Sequence, residues 1–190
     1  MTSKRIRCIA LAPLAFCSIA TAHPGHDAGA LAGLAHPFLG ADHLLAMIAV
    51  GLWAAQLGGR ARWLLPVSFV ALLALSAALA MAGIALPMVE TGVLTSVMLL
   101  GLLIGLAVKL PPALGAAMVG LFAIFHGYAH GAEIPAAVSA WQYGFGLVVS
   151  SAVLHGLGLF AGLRCRGTGS WGRATGTLIA LGGAWIGMAG

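Results

Sequence analysis

The sequence is short of charge. Only 7% of its 190 residues are Asp, Glu, Lys or Arg, against about 25% in a soluble domain. With 61% hydrophobic residues and a mean hydropathy of +1.05, the chain lacks the polar groups to cover a soluble surface. It reads as an integral membrane protein. No segment is polar enough to form a second, soluble domain. Acidic residues are scarcest, four in all against nine Lys and Arg, and the formal charge is +5. The basic residues are scattered, with no basic stripe and no interleaved aromatics, so no nucleic-acid partner is expected. Cysteines number three. Two of these, Cys8 and Cys17, fall in a segment that reads as removed. The third, Cys165, cannot make an intrachain disulfide by itself, so this is not a disulfide-stapled protein. No G-x-x-x-x-G-K-[ST] loop for nucleotide phosphates and no H-E-x-x-H zinc-hydrolase helix occurs.

What is there begins with a secretory signal. Lys4, Arg5 and Arg7 form a positive n-region, residues 8–19 an apolar h-region, and Ala20-Thr21-Ala22 an A-x-A cleavage site. The chain therefore divides into a signal peptide, 1–22, and one transmembrane domain, 23–190. A membrane helix needs about 20 apolar residues. Six segments after the signal meet that need: approximately 31–55, 64–86, 92–108, 113–131, 138–163 and 171–189. The fold class expected is an all-α, six-helix transmembrane bundle. With cleavage leaving His23 outside, Arg60, Arg62, Lys109, Arg164, Arg166 and Arg173 all fall in inside loops, and Glu90 and Glu133 outside. That distribution obeys the positive-inside rule. It implies a bacterial inner (cytoplasmic) membrane, with both mature ends periplasmic. Glycine pairs at four-residue spacing, 101/105, 127/131, 158/162 and 183/187, suit close helix packing.

Against this background the ionisable residues are conspicuous. In "FHGYAHGAE" His130 follows His126 by four residues and Glu133 follows it by seven. On a helix the three project within roughly 60° of one another. Two imidazoles at that spacing can grip one cation, and a carboxylate one turn on can join or orient them. Gly127 and Gly131 are expected to keep the space beside them open. In "HPFLGADHLLAM", His36 and His43 are seven apart and share a helical face with Gly40 and Met47. Asp42 points about 120° away on a regular helix, as a partner behind the ligands or as a ligand where the helix is distorted. Pro37 suits a first helical turn. Both clusters fall in the outer half of the bilayer. An Asp at a membrane helix centre costs about 2.5–3.5 kcal/mol on insertion scales, and such residues mark functional sites by default. Each residue also has a structural reading. Met47 suits packing better than ligation, and His155 reads equally as a transit ligand or a core histidine. The tail "HPGHD" offers His23, its amine, His26 and Asp27 for metal capture or as a frayed end.

The two histidine stretches, with "GLWA" after the first, resemble the HupE/UreJ family of small nickel (or cobalt) permeases. The resemblance covers nearly the whole chain. The family pattern is matched by His36, Asp42, His43, His126, His130 and Glu133. It implies uptake of Ni²⁺ or Co²⁺ for nickel enzymes such as hydrogenase or urease, with no catalytic residues and no cofactor beyond the transported ion. The residues themselves say only "divalent transition metal". The expected partners are that ion and the lipid bilayer, with a homo-oligomer left open. Two other classes compete: a metal-binding accessory or sensor protein, and a membrane metalloenzyme built on a histidine cluster.

Overall fold

A computed structural model of the chain describes residues 28–134, 138–165 and 169–189. The expected signal segment and the tail residues His23, His26 and Asp27 lie outside the described residues. Among the described residues all regular structure is helical. There are seven α-helices: α1 Ala28–Ala35, α2 Ala41–Leu57, α3 Ala61–Met81, α4 Val89–Gly105, α5 Pro112–Ala132, α6 Ala140–Arg164 and α7 Gly169–Ala189. One 3-10 turn, His36–Phe38, joins α1 to α2.

Three helices, α3, α5 and α6, are long and apolar enough to cross a membrane, and the α1–α2 pair would make a fourth if counted as one span. The helix α4 is apolar but shorter, at 17 residues. Five of the six expected segments recur as single helices, α3 to α7, with their ends moved by a few residues because hydropathy does not see caps; α7 is not among those long and apolar enough to cross a membrane. The segment expected over 64–86 is α3, ending at Met81 where Gly83 takes a positive φ of 77°. At the α2–α3 reversal, Gly58 and Gly59 have φ of 75° and 50°, a left-handed region open to glycine.

One expectation needs correcting. Residues 31–55 are not a continuous helix: the parts before and after residue 39 meet at 80°. Pro37 has no N–H to continue a helical ladder. Leu39 N–H closes a tight turn onto the His36 carbonyl, and Gly40 is extended, with φ −97° and ψ 116°. The seven-residue face argument for His36 and His43 therefore fails, since no single helix carries both.

The helix α2 lies at the centre of the bundle. Met47, Val50, Trp53 and the alanines beside them are fully buried, and α2 touches α3, α4, α6 and α7. Around it α3 pairs with α5, α4 with α7, and α1 and α2 with α6. The outward faces keep large apolar side chains exposed, among them Val67, Leu75, Leu121, Phe145 and Leu157. Such a surface suits lipid, not water.

Glycines set how close these helices come. Gly127 and Gly131 of α5 press on the backbone of Leu73 and Ala77 in α3. They close the α3–α5 interface instead of keeping room beside the histidines. A methyl on Gly127 would lie 2.8 Å from the Leu73 Cα, inside the 3.0 Å that real Cβ atoms keep. Gly127→Ala is therefore expected to destabilise the protein by about 1–3 kcal/mol. Gly144→Ala, where a methyl meets nothing within 4 Å, should be neutral or stabilising. Denaturant unfolding of the detergent-solubilised variants decides; equal stability at 127 and 144 means α3 and α5 stand apart.

Candidate metal site

Three stretches deliver the ionisable residues to one place. The helix α5 presents His126 and His130, both buried, on successive turns. Glu133 follows at its C-terminal cap, with its N–H bonded to the Ala129 carbonyl. The 3-10 turn supplies His36, and the first turn of α2 supplies Asp42 and His43. The bend does what the regular helix could not: it turns the chain so that residues on both sides of residue 39 face α5. Gly40 leaves space there, since a methyl on it would come within 2.9 Å of the Asp42 carboxylate and 3.1 Å of the His43 ring.

His36 Nε2 lies 2.9 Å from Glu133 Oε2. With His130, these two residues offer three ligand atoms all within 4.8 Å of one another. The His36 and His130 rings meet edge to face, with centroids 4.8 Å apart. His43 packs on His130 at 4.3 Å and on His126 at 4.8 Å. Phe69 of α3 lies 5.7 Å from the His126 ring and 4.9 Å from that of His155. The contacts thus form a file from Glu133 through His36, His130, His43 and His126 to Phe69 and His155. Exposure is highest at the Glu133 end, 57% for its side chain and 24% for that of His36; His130, His126 and His155 are at most 1% exposed, with the His43 side chain at 12%.

His43 and His126 are not in the triad, and neither is Asp42. Its Oδ1 accepts hydrogen bonds from both the backbone N–H and Nδ1 of His43, each 2.8 Å long. A carboxylate can only accept, so the Nδ1 of His43 carries the proton and Nε2 keeps the lone pair. Asp42 thus holds the His43 ring from behind, one of the two roles the sequence left open. His43 Nε2, His126 Nδ1 and both ring nitrogens of His130 and His155 are buried with no hydrogen-bond partner among the described residues. Leaving such groups unpaired costs about 1–3 kcal/mol each. Imidazole nitrogens with one carboxylate suit borderline divalent metals such as Ni²⁺, Co²⁺ and Zn²⁺.

Met47 is fully buried in the apolar core, where it packs. Two residues near the histidines were not legible as such in the sequence. Ser96 of α4 lies 2.7 Å from His126 Nε2. Tyr143 of α6 has its ring 5.6 Å from that of His36, and its buried hydroxyl has no hydrogen-bond partner among the described residues. Their only sequence signal is a polar group inside an apolar run.

A family model described as HupE / UreJ protein matches residues 10–186. Protein HupE of Rhizobium leguminosarum bv. viciae is 48% identical over 177 residues, covering 92% of this chain and 93% of that protein. No solved structure matches the chain.

Proposed function

The chain belongs to the HupE/UreJ family, and from that premise we propose that it carries a divalent transition metal, Ni²⁺ or Co²⁺, across a bacterial cytoplasmic membrane for nickel enzymes such as hydrogenase or urease. The observation that carries this reading is the convergence of His36, His130 and Glu133, from chain segments about a hundred residues apart, within 4.8 Å of one another. Glu133, the most exposed of the three, receives the hydrated ion at the mouth. His36 and His130 replace part of its water. His43 and His126, packed behind, take it further in, and His155 lies beyond Phe69. A ligand set spread along a file holds the ion less tightly than a closed tetrahedral site, and permeation needs that weakness.

The proposed topology has six spans, counting α1 with α2 as one and including α4 and α7. Arg60, Arg62, Lys109, Arg164 and Arg173 are inside and the mature ends outside. A membrane potential supplies about 2.3 kcal/mol per charge per 100 mV, and twice that for a divalent ion.

Accumulation of nickel-63 and cobalt-57 by cells expressing the chain tests the reading. Purified protein that binds either ion, in cells that accumulate neither, would point to a sensor or accessory protein instead. Within the same assay Met47→Leu is expected to keep at least about half of wild-type uptake, because a buried swap of similar volume usually costs under about 1.5 kcal/mol. A loss as deep as that of a histidine variant would make the thioether a ligand.

A further inference from the structure

We propose that Ser96 is the residue that sets which nitrogen of His126 is offered to the metal. This deepens the uptake reading and rests on it for the role of the metal. The proposal follows from counting protons. Ser96 Oγ lies 2.6 Å from the Val93 carbonyl oxygen and 2.7 Å from His126 Nε2. A carbonyl can only accept, so the single hydroxyl proton of Ser96 goes to Val93. The serine oxygen then has only lone pairs left for the histidine. His126 Nε2 must carry its proton and donate to Ser96 Oγ. In a neutral imidazole that leaves Nδ1 as the bare nitrogen, and Nδ1 is the atom that is buried without a partner among the described residues.

The arrangement is well fixed. Ser96 and His126 are both fully buried. Val93 and Ser96 are one turn apart on α4, so the carbonyl that takes the serine proton is built into the same helix. On the other side the His126 ring packs edge to face on His43 and is backed by Phe69. His43 is locked the opposite way round, with Nδ1 protonated toward Asp42 and Nε2 bare. Two adjacent imidazoles thus each present one lone pair. A carboxylate orients one and a serine, through its own helix carbonyl, the other. Ser96 touches no ion in this scheme; it is a positioning residue. Metal-bound histidines commonly have such a partner on their second nitrogen, and its loss weakens metal binding.

The test uses the full chain, labelled with nitrogen-15 histidine and held in lipid nanodiscs. Spectra of the metal-free protein should show the His126 signals, identified by their loss in His126→Asn, as a protonated Nε2 and a bare Nδ1. Ser96→Ala should mix the two tautomers and weaken Ni²⁺ binding by about tenfold or more. Ser96→Thr, which keeps the hydroxyl, should restore both. A His126 protonated at Nδ1 in wild type overturns the proposal, and this result needs no variant to fold. So does a Ser96→Ala protein with an unchanged tautomer, or with a mixed tautomer and unchanged Ni²⁺ affinity. If wild type binds neither Ni²⁺ nor Co²⁺ while the tautomer is as assigned, the uptake reading fails and takes the metal role of Ser96 with it. The orientation of His126 then stands on its own.

Discussion

Replacing His130 with alanine is expected to reduce nickel-63 accumulation to that of cells lacking the protein. His130 is the residue the two ends of the file share. Its ring lies 4.8 Å from that of His36 and 4.3 Å from that of His43. Neither ring nitrogen has a hydrogen-bond partner among the described residues. On the proposed path an ion held by Glu133 and His36 would meet His130 next, and through it reach His43. Losing a group that merely orients a ligand costs about 10–100-fold, so losing this ligand should exceed the upper figure. The fold should survive, because the His130 side chain makes no hydrogen bond among the described residues and α5 is held to α3 through Gly127, Gly131 and their partners. Immunodetection at wild-type level with uptake lost is the expected pair of results. Uptake above about a tenth of wild type in His130→Ala would mean that the ion takes another route.

Much of this site was legible because membrane helices leave few places for polar groups. His36, His43, His126, His130 and Glu133 stand out by their chemistry alone, and the four-residue spacing keeps His126 and His130 on successive turns of α5, while Glu133 falls at its C-cap and clusters with His130 and His36, without His126. The α1–α2 segment behaves differently. "HPFLG" is apolar enough to be counted into a span, yet a proline and an extended glycine stop the helical ladder. Hydropathy records how apolar a residue is, not whether the next N–H has a carbonyl to meet. The reason for the convergence of His36 and His43 is therefore a bend, not a shared face. Gly127 and Gly131 misled in a related way. Beside two histidines they look like space for an ion, while their missing Cβ atoms are taken up by the α3 backbone. Ser96 could not be assigned in advance, since its relation to His126 exists only once α4 and α5 are packed 30 residues apart in sequence.

On the proposed path the bend would also separate two tasks that a straight helix would merge. His36, in the turn, joins the exposed carboxylate of Glu133, while His43, one turn into α2, joins the buried rings. Hydrated and partly stripped ions need different surroundings: the first a charge in contact with water, the second neutral donors in a dry interior. Placing a sharp turn between the two histidines lets one short segment serve both.

That division gives the second large effect. Glu133→Gln is expected to lower metal uptake about ten- to hundred-fold at low ionic strength, and by less in high salt. Glutamine is nearly isosteric and can still take a hydrogen bond from His36, so the geometry of the mouth is kept and only the charge goes. Glu133 is the one acidic residue of the triad, and its side chain is more than half exposed, where salt can screen it. Part of its contribution is attraction of a divalent cation over a distance, and that part must shrink as the Debye length falls from about 30 Å at 0.01 M salt to about 8 Å at 0.15 M. Another part is direct contact beside His36 at 2.9 Å, which salt screens far less. The ratio of wild-type to Glu133→Gln uptake should therefore narrow with added salt without reaching one. A ratio fixed across that range would leave Glu133 a ligand with no steering role. A ratio of one at low salt would mean that the ion reaches His36 and His130 without the carboxylate, and the mouth of the path would have to lie elsewhere.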